Sequence, residues 1–139
     1  MNVAVILAPL FAQVALTLAL LAWQGYLRVS LVRNGAVQIR DIALGEPKWP
    51  PDATQAASAF SNQFELPVLF YLAIVIAIVV GAASTAFVVL CWLFVATRFV
   101  HAAIHLTDNN VPRRSFAYTA GYVILGVIWL MLFTGVLRA

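Results

Sequence analysis

Charge is scarce in this sequence: eight lysines and arginines and five aspartates and glutamates are spread over 139 residues, of which 64% are hydrophobic. A mean hydropathy of +0.98 lies outside the range of soluble globular domains. Such a chain has too little polar surface to face water all round, so it is read as integral to a membrane. Cysteine is nearly absent. Cys91 stands alone in an apolar run, which excludes an internal disulfide framework and leaves a thiol suited to packing. No basic segment precedes the first apolar run, so the n-region of a cleavable signal peptide is missing and the run is expected to be retained as a span. The net charge of +3 is small, and the basic residues sit at the ends of apolar runs. That placement reads as membrane topology, so no nucleic acid is expected as a partner. Internal repeats and low-complexity tracts are also lacking.

What is present is a succession of apolar runs. Hydrocarbon offers backbone N–H and C=O groups no partner, so each run must satisfy them internally as a helix. Val3 to Leu27 carries no charge, and Arg28 follows it. The uncharged run from Leu66 to Thr97 is too long for one crossing at roughly 20 residues per span, so it must fold back. Small residues and a glycine at GAAST, Gly81 to Thr85, supply the turn. Arms of the required length then reach back to about Phe60 and forward to about His105. Pro50, Pro51 and Asp52, with Gln55 three residues on, read as the start of the second helix, with Asp52 as N-cap. After DNNVPRR a last run extends from Ser115 to Leu137. The expectation is an all-α membrane protein, a four-transmembrane-helix up-down bundle in a single domain over residues 1–139. Its spans are expected near 3–27, 57–80, 85–107 and 115–137, with one long loop at 28–52 that has room for a short interfacial helix. Arg28, Arg33, Arg40, Lys48, Arg113 and Arg114 fall in the first and third loops, and Arg138 alone lies on the other side. The positive-inside rule therefore puts both of those loops in the cytoplasm and the termini outside.

The few polar residues inside these spans fall into register. If the hairpin tip lies near Ala83, Glu65 and Arg98 sit within about 5 Å of the same depth at 1.5 Å per residue, and they can pair. Asn62 and Glu65 are i and i+3 on one face of the second span. Arg98, His101 and His105 are i, i+3 and i+7 on one face of the third. A charge in hydrocarbon costs at least about 2.5 to 3.5 kcal/mol, so these groups are expected to face protein or a water-filled cavity, in the inner third of the bilayer. Pro67 removes a helical N–H and is expected to leave the Gln63 carbonyl free between Asn62 and Glu65. Arg113 and Arg114 stand at the mouth.

Each feature also has a structural reading. Glu65 and Arg98 could form an ion pair that only fixes helix register. His101 and His105 could simply hydrogen-bond helices together. Their H-x-x-x-H spacing suits a metal or a proton site as well, but two histidines and one nearby carboxylate are a thin ligand set, and no metal is expected. Arg113 and Arg114 could be a topology signal, Tyr118 and Tyr122 belt aromatics at the interface, and Gln13 and Gln24 carry little information.

At these residues the sequence resembles the MAPEG family, the membrane-associated proteins in eicosanoid and glutathione metabolism. The likeness rests on Asn62, Glu65 and Pro67 in SNQFELP, on R-x-x-H-x-x-x-H-L-T-x-N-N-V-P-x-R from Arg98 to Arg114, and on the four-span layout. What the resemblance implies is a homotrimer in the membrane lipid, probed by lipophilic small-molecule substrates, with glutathione bound between subunits near the cytoplasmic side. It further implies that Asn62, Glu65, Arg98, His101 and His105 occupy cosubstrate-binding positions and that Arg113 or Arg114 binds a carboxylate or activates the thiol. Glutathione carries two carboxylates and an ammonium, which call for guanidinium forks and a carboxylate partner. Four positions depart from the catalytic members: Ser58 stands where an arginine is common, His101 and His105 replace two tyrosines, and Pro112 occupies the place of the thiolate-activating arginine. The proline after Glu65 also arrives one residue early. The histidine-containing version resembles a bacterial-type branch, which implies a bacterial inner membrane. The activity implied is a glutathione- or thiol-dependent transferase or peroxidase acting on lipophilic electrophiles; the alternative is a non-catalytic lipid-binding or scaffold protein on the same fold.

Overall fold

The computed structural model describes residues 1–43, 45 and 48–137, so Arg138 and part of the GEPKWPP segment lie outside the described residues. Among the described residues six α-helices follow one another: α1 (Val3–Arg33), α2 (Ile39–Ile42), α3 (Pro51–Ser61), α4 (Leu66–Val79), α5 (Thr85–Leu106) and α6 (Val111–Val136), with a 3₁₀ turn at Asn62–Phe64. Among the described residues there is no strand. Four segments are long and apolar enough to cross a membrane: α1, α3 with α4 taken together as Pro51–Val79, α5 and α6.

Local chemistry sets the ends of these helices. Asn2 caps α1 by accepting from the Ala4 N–H at 2.9 Å, and Asn110 caps α6 by accepting from the Arg113 N–H at 3.1 Å. The hairpin between α4 and α5 falls within the GAAST segment. Gly81 takes the left-handed conformation at φ 68°, its N–H reaches the Ile78 carbonyl at 3.2 Å, and the Ala82 N–H reaches Ala77 at 2.9 Å. That pair of bonds is the Schellman closure that a glycine permits. Ser84 then opens α5 by accepting from the Phe87 N–H at 3.2 Å.

Three local expectations change. Asp52 is not the cap of α3: Pro50 holds that position, Pro51 begins the helix, and no side chain caps it. Proline at the first helical position lacks only an N–H that would have been orphaned anyway, so the helix starts there rather than at the acid. Pro67 does not lie within a continuous helix either. The chain leaves helical geometry at Glu65 (φ −99°, ψ −106°) and α4 begins afresh, with Pro67 in its first turn. The first helix, for its part, runs on to Arg33, carrying Arg28 within it.

The bundle closes around apolar side chains from all four spans. Phe70 and Phe94 stack with ring centroids 4.6 Å apart, and Ile74, Phe87, Cys91 and Ile128 are fully or almost fully buried beside them. Many large apolar residues on the outer faces, Phe11, Leu72, Leu93 and Phe133 among them, remain exposed, as a lipid-facing surface requires. Within the core lies a polar pair that the sequence did not signal. Gln13 on α1 donates through Nε2 to Oε1 of Gln63 at 2.8 Å, and Gln63 donates in turn to the Ala59 carbonyl at 3.0 Å; both glutamines are buried. Gln13→Leu strands the Gln63 acceptor and is expected to destabilise the protein by about 1–3 kcal/mol, whereas Gln13→Leu with Gln63→Leu removes both partners and restores most of that loss. Thermal unfolding of the two variants in detergent reads the difference.

Candidate functional site

The last turns of α5 carry the site. Arg98, His101 and His105 are 0%, 2% and 4% exposed, so the face predicted from their spacing points into the bundle. The guanidinium can lie so deep because α6 approaches α5 closely: a Cβ on Gly121 would stand 2.7 Å from Thr97 Oγ1 and 3.9 Å from Arg98 Cδ. The α3 end of the second span faces this row. The Asn62 amide nitrogen lies 3.4 Å from Nδ1 of His105, and the rings of His101 and His105 meet edge to face at 5.8 Å.

Glu65 and Arg98 do not pair directly. Tyr118, on α6, stands between them: its hydroxyl donates to Oε2 of Glu65 at 3.0 Å, and its ring lies under the Arg98 guanidinium at 5.4 Å. The same ring is 5.8 Å from that of His101. Tyr118 therefore belongs to the site and not to an aromatic belt, while Tyr122, one turn on, is 62% exposed. The cost of this arrangement falls on Arg98. All three of its guanidinium nitrogens are buried with no hydrogen-bond partner among the described residues, and Nδ1 of His101 is in the same condition.

Asn62, His101, His105 and Tyr118 border a cavity of about 520 Å³, and Arg98 lies behind His101 and Tyr118 rather than in its wall. The α3 helix contributes Ser58, with Asn62 just beyond its end; α5 contributes His101 and His105; α6 contributes Arg114 and Tyr118, with the Ser115 and Thr119 hydroxyls between. Arg114, Ser115, Tyr118 and Thr119 form one helix face, the i, i+1, i+4, i+5 stripe. Arg114 is held by the side-chain oxygen of Asn109, which sits in the left-handed region at φ 48°. Arg113 turns the other way, to Asp108 at 3.5 Å, and borders a separate apolar groove with Val100, Ile104 and Phe116. Of the two adjacent arginines only Arg114 reaches the cavity. Among the described residues no carboxylate lines it, Glu65 being engaged by Tyr118, so these walls are polar to cationic and suit an anion. Among the described residues no group of three His, Cys, Asp or Glu side chains gathers.

The MAPEG family model matches residues 6–134, which takes in all but the outermost residues of α1 and α6 and every residue of the cavity. The chain belongs to the MAPEG family. No curated protein and no solved structure matches it. In this MAPEG chain, sequence reading placed Asn62, Glu65, Arg98, His101 and His105 in one neighbourhood, and the structure gathers them at one end of the bundle. It missed Tyr118. The available signal was the four-residue step from Arg114 to Tyr118, which puts both on the same face of α6. Glu65 is exposed on the single chain although it lies within a candidate span.

Proposed function

We propose that this MAPEG protein binds an anionic thiol cosubstrate, glutathione in the first instance, and directs it against lipophilic electrophiles that arrive through the bilayer, as a transferase or peroxidase. The observation that carries this reading is the fully buried, unpartnered guanidinium of Arg98 behind a cavity with no acidic lining. The Glu65 carboxylate reaches Arg98 only across the Tyr118 ring, so a buried guanidinium with no direct partner remains costly, and an anionic ligand is what offsets it. Asn62 and His105 supply amide-matching polar groups. The Tyr118 hydroxyl and Glu65 suit the ammonium end of a tripeptide. Arg114, at the mouth, is the cation placed to hold a thiol as thiolate. The cosubstrate supplies the nucleophilic sulfur, which forms its bond to the electrophilic atom as the leaving group departs.

The exposed carboxylate of Glu65 supports a further part of the reading. An acid facing hydrocarbon with one hydrogen bond, from Tyr118, is expensive, so a second copy of the chain covers this face, and a homotrimer in a bacterial inner membrane, with the 34–50 loop cytoplasmic, is the arrangement we propose. The whole chain acts as one domain. The test is made on purified oligomer. Saturable thiolate absorbance on adding glutathione, together with conjugation of a chloronitrobenzene, is expected. If both signals are missing while hydrophobic ligands still bind, the non-catalytic lipid-binding reading takes its place.

A further inference from the structure

A second pair of cavities lies at the same end of the bundle, outside the site just described. One, of about 530 Å³, sits between α1, the 34–50 loop and α3; it is bordered by Arg28 and Trp49 and by the hydroxyls of Thr54, Ser58 and Ser61. The other, of about 290 Å³, shares Arg28 and Trp49 with the first but is otherwise walled mainly by Val29, Val32 and Ile39, with Arg33 at its edge. Arg28 and Trp49 form the partition between them, the guanidinium lying 4.8 Å from the ring centroid. A hydroxyl-lined chamber and an aliphatic one therefore meet at a cation.

Among the described residues no carboxylate pairs with the arginines at this junction. Asp41, the acid of α2, is engaged by Lys48 at 3.7 Å. Among the described residues neither Arg28 nor Arg33 has a carboxylate within ion-pair distance, and Arg28 Nε is buried with no hydrogen-bond partner. One turn further into the bundle on the same face of α1, Gln24 Oε1 is a buried acceptor without a donor. Trp23 and Tyr26, stacked at 5.8 Å and both exposed, mark this level of α1 with the amphipathic rings that favour a headgroup region.

We propose that this junction is a binding site for an anionic phospholipid. The phosphate is held by the Arg28 guanidinium and the hydroxyls of Ser58 and Ser61, while Thr54 donates to the Trp49 and Pro50 carbonyls, and the start of an acyl chain lies along Val29, Val32 and Ile39. Guanidinium forks match phosphate oxygens, and the ring of Trp49 fixes the plane of the fork. Ser58 borders both this pocket and the first cavity, so the bound lipid abuts the wall of the proposed cosubstrate site.

Native mass spectrometry of the purified protein, with phosphatidylglycerol and phosphatidylcholine offered in equal amounts, tests the proposal. Wild type is expected to retain phosphatidylglycerol about tenfold better. Arg28→Gln is expected to lose that preference. Arg40→Gln, which removes the same charge from an exposed position bordering neither cavity, is expected to keep it. Equal retention of the two lipids by wild type would overturn the proposal, as would equal losses in Arg28→Gln and Arg40→Gln. Displacement of the lipid by millimolar inorganic phosphate would replace it with a soluble anion as the occupant. Should Arg28→Gln fail to assemble, the wild-type preference and its weakening in Arg28→Lys, which keeps the charge but not the fork, decide the matter.

Discussion

Replacing Arg98 with methionine is expected to make the ligand-free protein more stable and to abolish its response to anionic cosubstrates. Both effects come from one feature. Arg98 is fully buried and none of its guanidinium nitrogens has a hydrogen-bond partner among the described residues, so the folded chain carries the desolvation cost of a cation with the Glu65 carboxylate only at a distance, across the Tyr118 ring. The Tyr118 ring at 5.4 Å returns only part of that cost. Methionine has comparable length and no charge. Exchanging buried ionic groups for well-packed apolar ones is often neutral or stabilising, by about 1–4 kcal/mol. The melting temperature of Arg98→Met without ligand is thus expected to exceed that of wild type. Added glutathione should raise the wild-type melting temperature by mass action and leave the variant unmoved. A residue that merely locked helix register would behave the opposite way: its loss would lower stability in the absence of any ligand. That outcome would mean Arg98 already has its counter-charge from another copy of the chain, and would remove the argument for an anion in the cavity.

How much of this was legible beforehand depends on the range over which each feature is determined. The four spans and the turn at Gly81 follow from hydropathy and from a glycine that can take positive φ, both local properties of the chain. The clustering of Asn62, Glu65, Arg98, His101 and His105 followed from counting residues away from that turn, because the helical rise is fixed. What counting cannot give is the rotation of one helix against the next. Tyr118 sits on α6, and only the close approach of α6 to α5 at Gly121 brings its ring between Glu65 and Arg98. The direct ion pair was a sound inference from two helices and fails because a third places the Tyr118 side chain between the two groups. The Gln13 and Gln63 pair was hidden for the same reason: the partners are far apart in sequence and nothing in either segment announces the other.

Arg114→Gln is expected to lower kcat for thiol conjugation by about a hundredfold, and Arg113→Gln to lower it by less than about fivefold, although the two are neighbours. Successive residues on a helix point about 100° apart, and the Asn110 cap fixes which of the two faces inward. With α6 beginning at Val111, Arg113 turns out to Asp108, an exposed pair that contributes little, and Arg114 turns in toward His105 and Tyr118. Removing a cation that holds a thiolate takes away stabilisation of the reactive anion itself, so thiolate absorbance of bound glutathione should fall together with kcat. Loss of a merely peripheral charge would instead raise KM and leave the bound thiolate intact. Asn109→Ala separates position from charge: it keeps Arg114 but removes the side-chain oxygen that holds it, and an intermediate loss is expected. Equal losses in Arg113→Gln and Arg114→Gln would show that the pair acts only through net charge at the mouth, and the assignment of Arg114 to the thiol would be withdrawn.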